Sequence, residues 1–537
     1  MTTFFSQIVS SKKQKAILYE YPSVIQNLKK HRAIHKSKVL SLSIDLNKPA
    51  WVSVNPAPKI DDNENSYRLC LGFKNIGCAY RDKDEKGLGC LNCGYYANTA
   101  FKEVDSLTLI HQFNAAILTG KETNTKFNSI EFLNDGSFFN ADEINIELQF
   151  KLFHLISQMP EIIRVLVETR PEFIDMENVK KLLNILRDDQ IFEIGMGLES
   201  ADDFIREICI NKGYSKLDFE NAIKTLSNIK SVNKGISIVT YLLVKPAFLT
   251  DKECIDDIIF SINYLHELSI KYGVKITPKL EPAAIVDGTI LSMLYEHDVS
   301  HFHYKPLSYW TLLEIIARLA LSDIKTMLDL LRIGAREDMD DIIKAPAIYS
   351  DTEDIYYPFD FVIYESIQKF NQHHNVYRLF SVISEVYKRS NGINLSEDDS
   401  LKKWIRENNI KDIKIIELIN NLDNFKAKEN ENIDYESEIE LIMMIYNILD
   451  IMEGYNRKYL RLKREIDAAV LSNSNDLLEK SIENCFTKLF PISRSHVNVQ
   501  VNTISIEDKL VDIFFNIKYL DSTTSIWSKF SLKDNNN

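Results

Sequence analysis

The chain has 537 residues, too many for one ordinary hydrophobic core, so two or three domains are expected. Its 45% hydrophobic and 26% charged content is that of a globular protein, and no apolar run approaches the length of a membrane span. A net charge of −13 argues against a general nucleic-acid binder. Residues 1–24 lack the uninterrupted apolar core of a signal peptide, which predicts a cytoplasmic protein with no membrane partner and reduced thiols.

Residues 1–64 read as an N-terminal leader. From Lys12 to Lys38 they carry eight Lys or Arg and one acid, Glu20, either a phosphate-contacting stretch or a solvated basic face. A helix is expected around Tyr21–Lys38, and "KVLSLSIDL" alternates as a strand would. "NPAPKIDDNENS", 55–66, is a loop, and "YRLCLGF" is a strand that runs into "GCAYRDKDEKGLGCLNCGYY", 77–96. Strands then follow at "SIEFLND", "IIRVLVETR", "FEIGMGLES", "GISIVTYLLV" and "VKITPKLEP". Between them lie helical patterns, "EINIELQFKLFHLISQM", "MENVKKLLNILRDD", "DDFIREICI", "KLDFENAIKTLSNI" and "DKECIDDIIFSINYLHELSIKYG". Such alternation predicts an α/β fold, a parallel sheet with helices outside, open or barrel-like, with its chemistry at the C-terminal ends of the strands.

The core so defined spans 65–320. A barrel-flanking helical segment is expected over 321–390 and a mainly helical accessory region over 391–537, the latter with one strand at "HVNVQVNTISI". "YESEIELIMMIYNILDIMEGYNRKYLRLKREIDAAV" is one of its helical stretches.

Three of the seven cysteines, Cys78, Cys90 and Cys93, crowd into the loop after the first expected strand. A structural zinc site wants four ligands, and Cys70, the nearest fourth thiol, lies within an alternating strand. Three thiolates suit a [4Fe–4S] cluster with one open iron. The alternative is a zinc- or cluster-stabilised binding protein whose C-terminal region recruits a partner. Cys209, Cys254 and Cys485 fall in helical patterns and read as core thiols.

A three-cysteine loop after the first strand of a β/α barrel resembles the radical S-adenosylmethionine (SAM) superfamily. The spacing here is eleven and then two residues, where most of that superfamily has three and two. Longer first gaps occur in the radical SAM subunit of Elongator and in the archaeosine-forming radical SAM lyases. "GCLNCGYY", "NDGSFFNADEI", "VETRPEF", "GLESADDFIREICINKGY", "YLLVKPAFLTDKECIDD" and "KPLSYWTLLEI" resemble the lyases in order and spacing. No Gly-rich coenzyme A loop of the Elongator kind stands in 320–537. The resemblance implies a partial (β/α)6-type barrel, a [4Fe–4S] cluster on Cys78, Cys90 and Cys93, and SAM as second cofactor. It further implies reductive cleavage of SAM to a 5′-deoxyadenosyl radical, hydrogen abstraction from a substrate, and an electron donor such as a flavodoxin or ferredoxin. A modified tRNA nucleoside undergoing C–N lysis is the nearest substrate class, with tRNA or a protein as partner.

The remaining site residues stand at strand ends. Asp135, Gly136 and Ser137 form a turn whose amides and hydroxyl can hold a polar ligand, and which the resemblance assigns to the amino group of SAM. Glu168 and Arg170 share a face by period two, a carboxylate for ribose hydroxyls and a guanidinium for a carboxylate. Glu199 closes a strand containing Gly195 and Gly197, and Lys212 sits in a turn that serves either a ligand carboxylate or a helix cap. Lys245 is either a substrate contact or a salt-bridge partner, and "HFHYKPLSYW", with His303 and Tyr309, reads as a lid or substrate wall.

Overall fold

The computed structural model describes residues 5–41, 45–57, 66–84, 87–123, 125–229, 236–296, 301–334, 343–345, 358–391, 400–426, 497–507, 510–519 and 522–531. They fall into two compact units, residues 1–350 with 363–431, and residues 351–362 with 432–537.

The first unit opens with a long helix, α1 (Ser11–Ser41), whose buried Ile17, Val24, Ile25, Leu28 and Arg32 recur at helical spacing along one stripe. It starts earlier and ends later than the sequence suggests. Lys38 to Ser41, read as the start of a strand, are its last turn, because extending an existing helix needs no new nucleus. Residues 42–44 lie outside the described residues. Of the eight basic residues, Arg32 is buried and Lys13 pairs with Glu253, while Lys12, Lys15, Lys29, Lys30, Lys36 and Lys38 are exposed.

Strand β1 (Trp51–Pro56), not foreseen, pairs antiparallel with β2 (Tyr67–Gly72) and forms one sheet edge. Its Pro56 is tolerated there because an edge strand has amides that need no ladder partner. After β2 come α2 (Ala79–Lys83), α3 (Ser106–Glu122), β3 (Ser129–Phe132), α4 (Ile146–Ser157), β4 (Arg164–Glu168), α5 (Met176–Ile185) and β5 (Ile191–Glu199). A π-helical turn, Ile205–Cys209, precedes α6 (Lys216–Ser227), β6 (Ile236–Val244), α7 (Asp251–Tyr272) and β7 (Ile276–Pro282). β2 to β7 lie side by side in chain order, all parallel. Helices α3 to α7 fill the five crossovers, which is the expected (β/α)6 arrangement. Ser215 and Thr250 start α6 and α7 with reciprocal capping boxes.

The chain continues through β8 (Ile285–Val286), α8 (Ile290–Glu296), α9 (Tyr309–Ala320), β9 (Arg332–Ile333) and β10 (Ile343–Ala345). β9 joins β7 as the last strand of the eight-stranded sheet, while β8 and β10 pair separately. Then follow α10 (Pro358–His373), α11 (Val376–Asn391), α12 (Ser400–Asn408) and α13 (Lys414–Asn420). The fully buried Glu314 of α9 accepts from the amides of Lys414 and Ile415 and so binds α13 to α9.

The sheet is open but curled. Arg332 on β9 donates to Glu193 on β5 at 2.9 Å, although two strands lie between them, so the concave face must close on itself. One layer of that face is charged. Arg164 pairs with both Glu131 and Glu193, and Arg68 adds a 2.8 Å bond to Glu131. Burial works against the Glu131 carboxylate, but Arg68 and Arg164 outweigh it and hold its pKa down to about 2. Cys70, Leu133, Leu166, Val239 and Tyr241 form an apolar cluster with Trp51 packed on it. Phe113, Phe132, Phe138, Phe153 and Phe192 form a run of ring contacts with centroids 5.0 to 6.0 Å apart. Each such buried ring contributes about 1.5–3 kcal/mol relative to exposure. Together they fix the turn after β3 against α3 and α4.

Besides residues 358–362, which open α10, the described part of the second unit is a three-stranded antiparallel sheet, β11 (Val497–Glu507), β12 (Leu510–Tyr519) and β13 (Ser522–Ser531). The first of these was expected. The other two were not foreseen; three strands pairing in chain order make an antiparallel meander. The helical stretch expected over 435–470, and Cys485, lie outside the described residues. Among the described residues no helix is long and apolar enough to cross a membrane.

Candidate active site

The cysteine loop leaves the C-terminal end of β2. Cys78, Cys90 and Cys93 are half-buried free thiols, while Cys70, Cys209 and Cys254 are buried in the core. Asp84 accepts from the amides of Leu88 and Gly89 at 3.2 Å each and closes a turn in which Gly89 has φ +65°. Leu88 and Leu91 are sunk in an apolar cluster with Val24, Ile25 and Leu28 of α1 and with Ile205 and Ile210. The segment after the π-helical turn clamps the loop. Ile210 O accepts from Leu91 N at 2.8 Å, Cys209 O from Asn92 Nδ2 at 3.2 Å, and Asn211 Nδ2 donates to Gly89 O at 2.8 Å. Asn211 itself has φ +58°, a conformation Asn tolerates better than most residues.

Burial, with Asp135 and Cys90 beside it, pushes the Cys93 thiol up to about 12, and burial with Asp135 raises Cys78 further. Cys90 acts on both, so the three sulfurs share one electrostatic neighbourhood. Among the described residues no three His, Cys, Asp or Glu side chains converge tightly enough for a single metal ion. A cluster asks for something looser, one thiolate per iron. Cys70, the fourth thiol a zinc site would use, instead faces Glu131 at 3.7 Å inside the barrel. Burial and Glu131 raise its pKa to about 12. The zinc alternative thereby loses that ligand.

The turn Asp135–Gly136–Ser137 lies against Cys78. Asp135 Oδ2 accepts from Cys78 N at 3.4 Å and from Arg81 at 2.9 Å. Gly136 has φ +121°, and a Cβ there would collide with the Glu143 carboxylate. Glu143 accepts from Ala79 N at 2.9 Å, from Asn140 at 2.8 Å and from the Ser137 amide. Ser137 N, expected to face a ligand, is therefore used internally, and Ser137 Oγ accepts from Arg170 N at 3.1 Å. Burial raises the Glu143 pKa to about 7 despite those three bonds.

Arg170 is the most telling side chain. Its Nε donates to Glu172 at 2.5 Å and its Nη1 to Lys212 O at 3.0 Å, and its guanidinium lies 4.1 Å from the Tyr80 ring centroid. Its Nη2 is buried and has no partner. Burial opposes its charge, but Cys90 and Glu172 hold it firmly protonated. A buried donor left over beside three thiols fits a ligand carboxylate. Lys212 pairs with Glu199 at 2.7 Å, and Gly197 leaves room for that pair, since a Cβ there would meet both side chains. Tyr80 OH donates to Asn211 O at 3.1 Å, and Tyr214 OH bonds Gly197 O.

Glu168 and Arg170 do not pair with each other. Glu168 ends β4 beside Tyr241 of β6, and burial raises its pKa to about 7 against the pull of Lys279. It belongs to the barrel interior, while Arg170 belongs to the cysteine loop.

Lys245, at φ +59°, is held in a buried pair with Asp251 at 2.5 Å and donates to Pro306 O at 3.2 Å. Asp251 also accepts from Thr311 at 2.8 Å and Trp404 at 3.1 Å. That pair is the salt bridge weighed beside a substrate contact for Lys245, and through Asp251 it fastens α9 and α12 to the barrel. His303 lines a cavity of about 210 Å³ with Lys13, Phe248, Leu294 and Tyr304, which includes none of the cysteine-loop residues. Tyr309 opens α9 and is half-buried.

Glu143, Tyr80, Tyr214 and Asn211 complete the site and escaped the sequence reading. Their partners lie 64, 131, 17 and 122 residues away, and no local spacing signals such pairings.

An open parallel β/α barrel, with three part-exposed cysteines on the loop after its first parallel strand, is the architecture of a radical SAM enzyme. No family model matches the chain. It is 30% identical over 272 residues to archaeosine synthase subunit beta of Methanosarcina acetivorans, covering 50% of this chain and 72% of that one. Its identity to archaeosine synthase subunit beta of Thermococcus kodakarensis is 27% over 299 residues, 54% of this chain and 86% of that one. An uncharacterised protein of Methanocaldococcus jannaschii is 31% identical over 262 residues, 48% of this chain and 66% of that one, just under two thirds of its length. Among solved structures, SuiB of Streptococcus suis aligns with 53% of this chain and 55% of its own at 11% identity and a TM-score of 0.31. TsrM of Kitasatospora setae, a radical SAM methyltransferase, aligns over 40% of this chain and 36% of its own at 14% identity and a TM-score of 0.27. The chain belongs to the archaeosine synthase subunit beta family of radical SAM enzymes.

Proposed function

We propose that Cys78, Cys90 and Cys93 hold a [4Fe–4S] cluster whose open iron receives SAM, within a catalytic core of residues 65–320. The observation that carries this is the buried, unpartnered Nη2 of Arg170 beside three part-exposed thiols. A cluster held by these cysteines would supply one-electron chemistry, an electron from a reduced donor splitting SAM into methionine and a 5′-deoxyadenosyl radical able to take hydrogen from a substrate. The chain's own residues do the positioning. Arg170 binds the SAM carboxylate through its free Nη2, while Lys212, paired with Glu199, shields that charge from the other side. The Asp135 and Gly136 carbonyls accept from the SAM ammonium, since the Ser137 amide can only donate and Ser137 O already accepts from Asn140 N at 3.1 Å. Glu168 receives ribose hydroxyls, a role its raised pKa suits, because a neutral carboxyl both donates and accepts.

The substrate is a modified tRNA nucleoside and the reaction a C–N lysis. The relatives' name, archaeosine synthase subunit beta, supports both this and a partner subunit. The exposed lysines of α1 give the acidic chain a surface for phosphates. A flavodoxin or ferredoxin supplies the electron, and the free thiols suit the cytoplasm.

The test is anaerobic reconstitution with iron and sulfide, reduction with SAM present, and chromatography for 5′-deoxyadenosine, with and without tRNA. Wild type is expected to produce it and Cys93→Ala is not. A chain that binds zinc at these thiols in place of a cluster would overturn the proposal.

A further inference from the structure

Arg32 occupies a place in α1 where the sequence pattern calls for an apolar residue. It lies four residues after Leu28 and seven after Ile25, on the buried stripe, and only 7% of its surface is exposed. Its guanidinium faces the backbone of the cysteine loop. Nη1 donates to Leu88 O at 2.5 Å, and Nη2 to Cys90 O at 3.2 Å, Leu91 O at 3.4 Å and Cys93 O at 3.3 Å. Nε donates to Gly288 O at 2.9 Å, and the ring of Tyr96 covers the guanidinium at 4.6 Å.

This arrangement gives each guanidinium nitrogen a carbonyl acceptor but leaves the charge unpaired. A guanidinium stays protonated at any ordinary pH, and an isolated charge of that kind is costly to bury. No carboxylate bonds Arg32 among the described residues. The acidic groups that act on it are Cys93, Tyr96 and Cys90, and Arg81 adds a repulsion. The anion that balances this buried cation is therefore supplied by the loop itself, once its cysteines serve as thiolate ligands.

We infer that Arg32 is a positioning residue for the iron–sulfur cluster, gathering the loop carbonyls and supplying the counter-charge that stabilises its reduced state. The inference rests on the cluster reading above. One-electron reduction adds a negative charge to a site already carrying three thiolates, and net charge nearby is among the determinants of cluster potential.

The test uses the full chain, reconstituted anaerobically, as wild type, Arg32→Lys and Arg32→Gln. Iron and sulfide are assayed, circular dichroism checks the fold, and a dye-mediated titration followed by electron paramagnetic resonance gives the cluster potential without SAM. The expected result is a reduced-to-oxidised ratio about tenfold lower at fixed potential in Arg32→Gln, a shift of about 59 mV to more negative values. Arg32→Lys, which keeps the charge and loses the fork, should shift by less than half of that. A folded Arg32→Gln that loads no cluster while Arg32→Lys loads normally also supports the charge role. Equal potentials in all three chains would sink the inference alone, as would equal failure of both variants to load, which marks a mere staple of the loop. A wild type that takes up no cluster overturns the underlying reading, and this inference with it.

Discussion

The curled sheet carries buried charge in two places, and the two are built differently. In the layer through Glu131, Arg164 and Glu193, each group meets an opposite charge, with Arg68 and Arg332 closing the set. Arg68 Nε and Arg164 Nη1 there, and Arg170 Nη2 at the strand ends, are buried donors without an acceptor, but at the strand ends Glu143 by the cysteine loop and Glu168 in the barrel interior also sit with pKa values near 7. Carboxylates held down by guanidinium partners, as Glu131 and Glu193 are, keep their charge without a ligand and hold strands in register. An incompletely paired set is costly in the empty protein and is relieved by a ligand, so it marks where binding free energy is to be gained.

The largest contrast should come from removing one member of each set. Arg164→Met leaves Glu131 to Arg68 alone and Glu193 to Arg332 alone, and should lower unfolding stability by up to about 3 kcal/mol in urea titrations. In whatever fraction folds, SAM affinity should be close to that of wild type. Arg170→Gln should do the reverse. Stability should change little, while SAM binding to the reconstituted protein, read by equilibrium dialysis, weakens roughly ten- to hundredfold, the worth of a charged hydrogen bond. If Arg170→Gln binds SAM as well as wild type does, the idle donor has another purpose.

Gly136→Ala comes next. It forces a side chain at φ +121° into the Glu143 carboxylate, so about 1–3 kcal/mol of strain should appear as a lower melting temperature. Iron loading should fall with it, because Glu143 also holds the amide after Cys78.

The smallest effect is a pH slope in the ligand-free chain. Glu143 and Glu168 titrate near 7 when folded, above the ordinary 4.5. The folded protein thus keeps protons that the unfolded chain releases, and stability should fall as pH rises from 4.5 to 7. Glu131, held at about 2, acts oppositely. Its contribution is complete above 4.5 and is lost as pH falls toward 2. Urea midpoints across pH should show both limbs, and Glu143→Gln should flatten the upper one, by no more than about 1.4 kcal/mol per pH unit.

Much of the barrel was legible because buried parallel strands are short β-branched runs separated by amphipathic helices. "IIRVLVETR" and "GISIVTYLLV" could hardly be anything else. Trp51–Pro56 was not, because an edge strand of mixed polarity ending in proline resembles a loop. The alternation of "KVLSLSIDL" misled because a few residues of period two cannot outweigh a helix already running into them. In the site, the cysteines announced themselves by spacing. Arg170 and Lys212 were found as strand-end and turn residues, but their partners were not, since Tyr80 and Asn211 meet across 131 residues of chain. Lys245 shows the same limit from the other side. Nothing local reveals that Asp251 waits for it, with Thr311 and Trp404 behind.

The π-helical turn at Ile205–Cys209 has an evolutionary reading. Its Ile210 N to Ile205 O bond spans five residues where an α-helix spans four, so the turn holds one residue more than regular backbone requires. Deleting that residue would yield a more regular helix, yet would swing everything after it through about 100°. Ile210 and Asn211 would turn away from Leu91 and Gly89, and Lys212 from Glu199. In this chain the single surplus residue sets the direction from which the backbone grips the cysteine loop, so an insertion or deletion here would act on that loop from more than a hundred residues away.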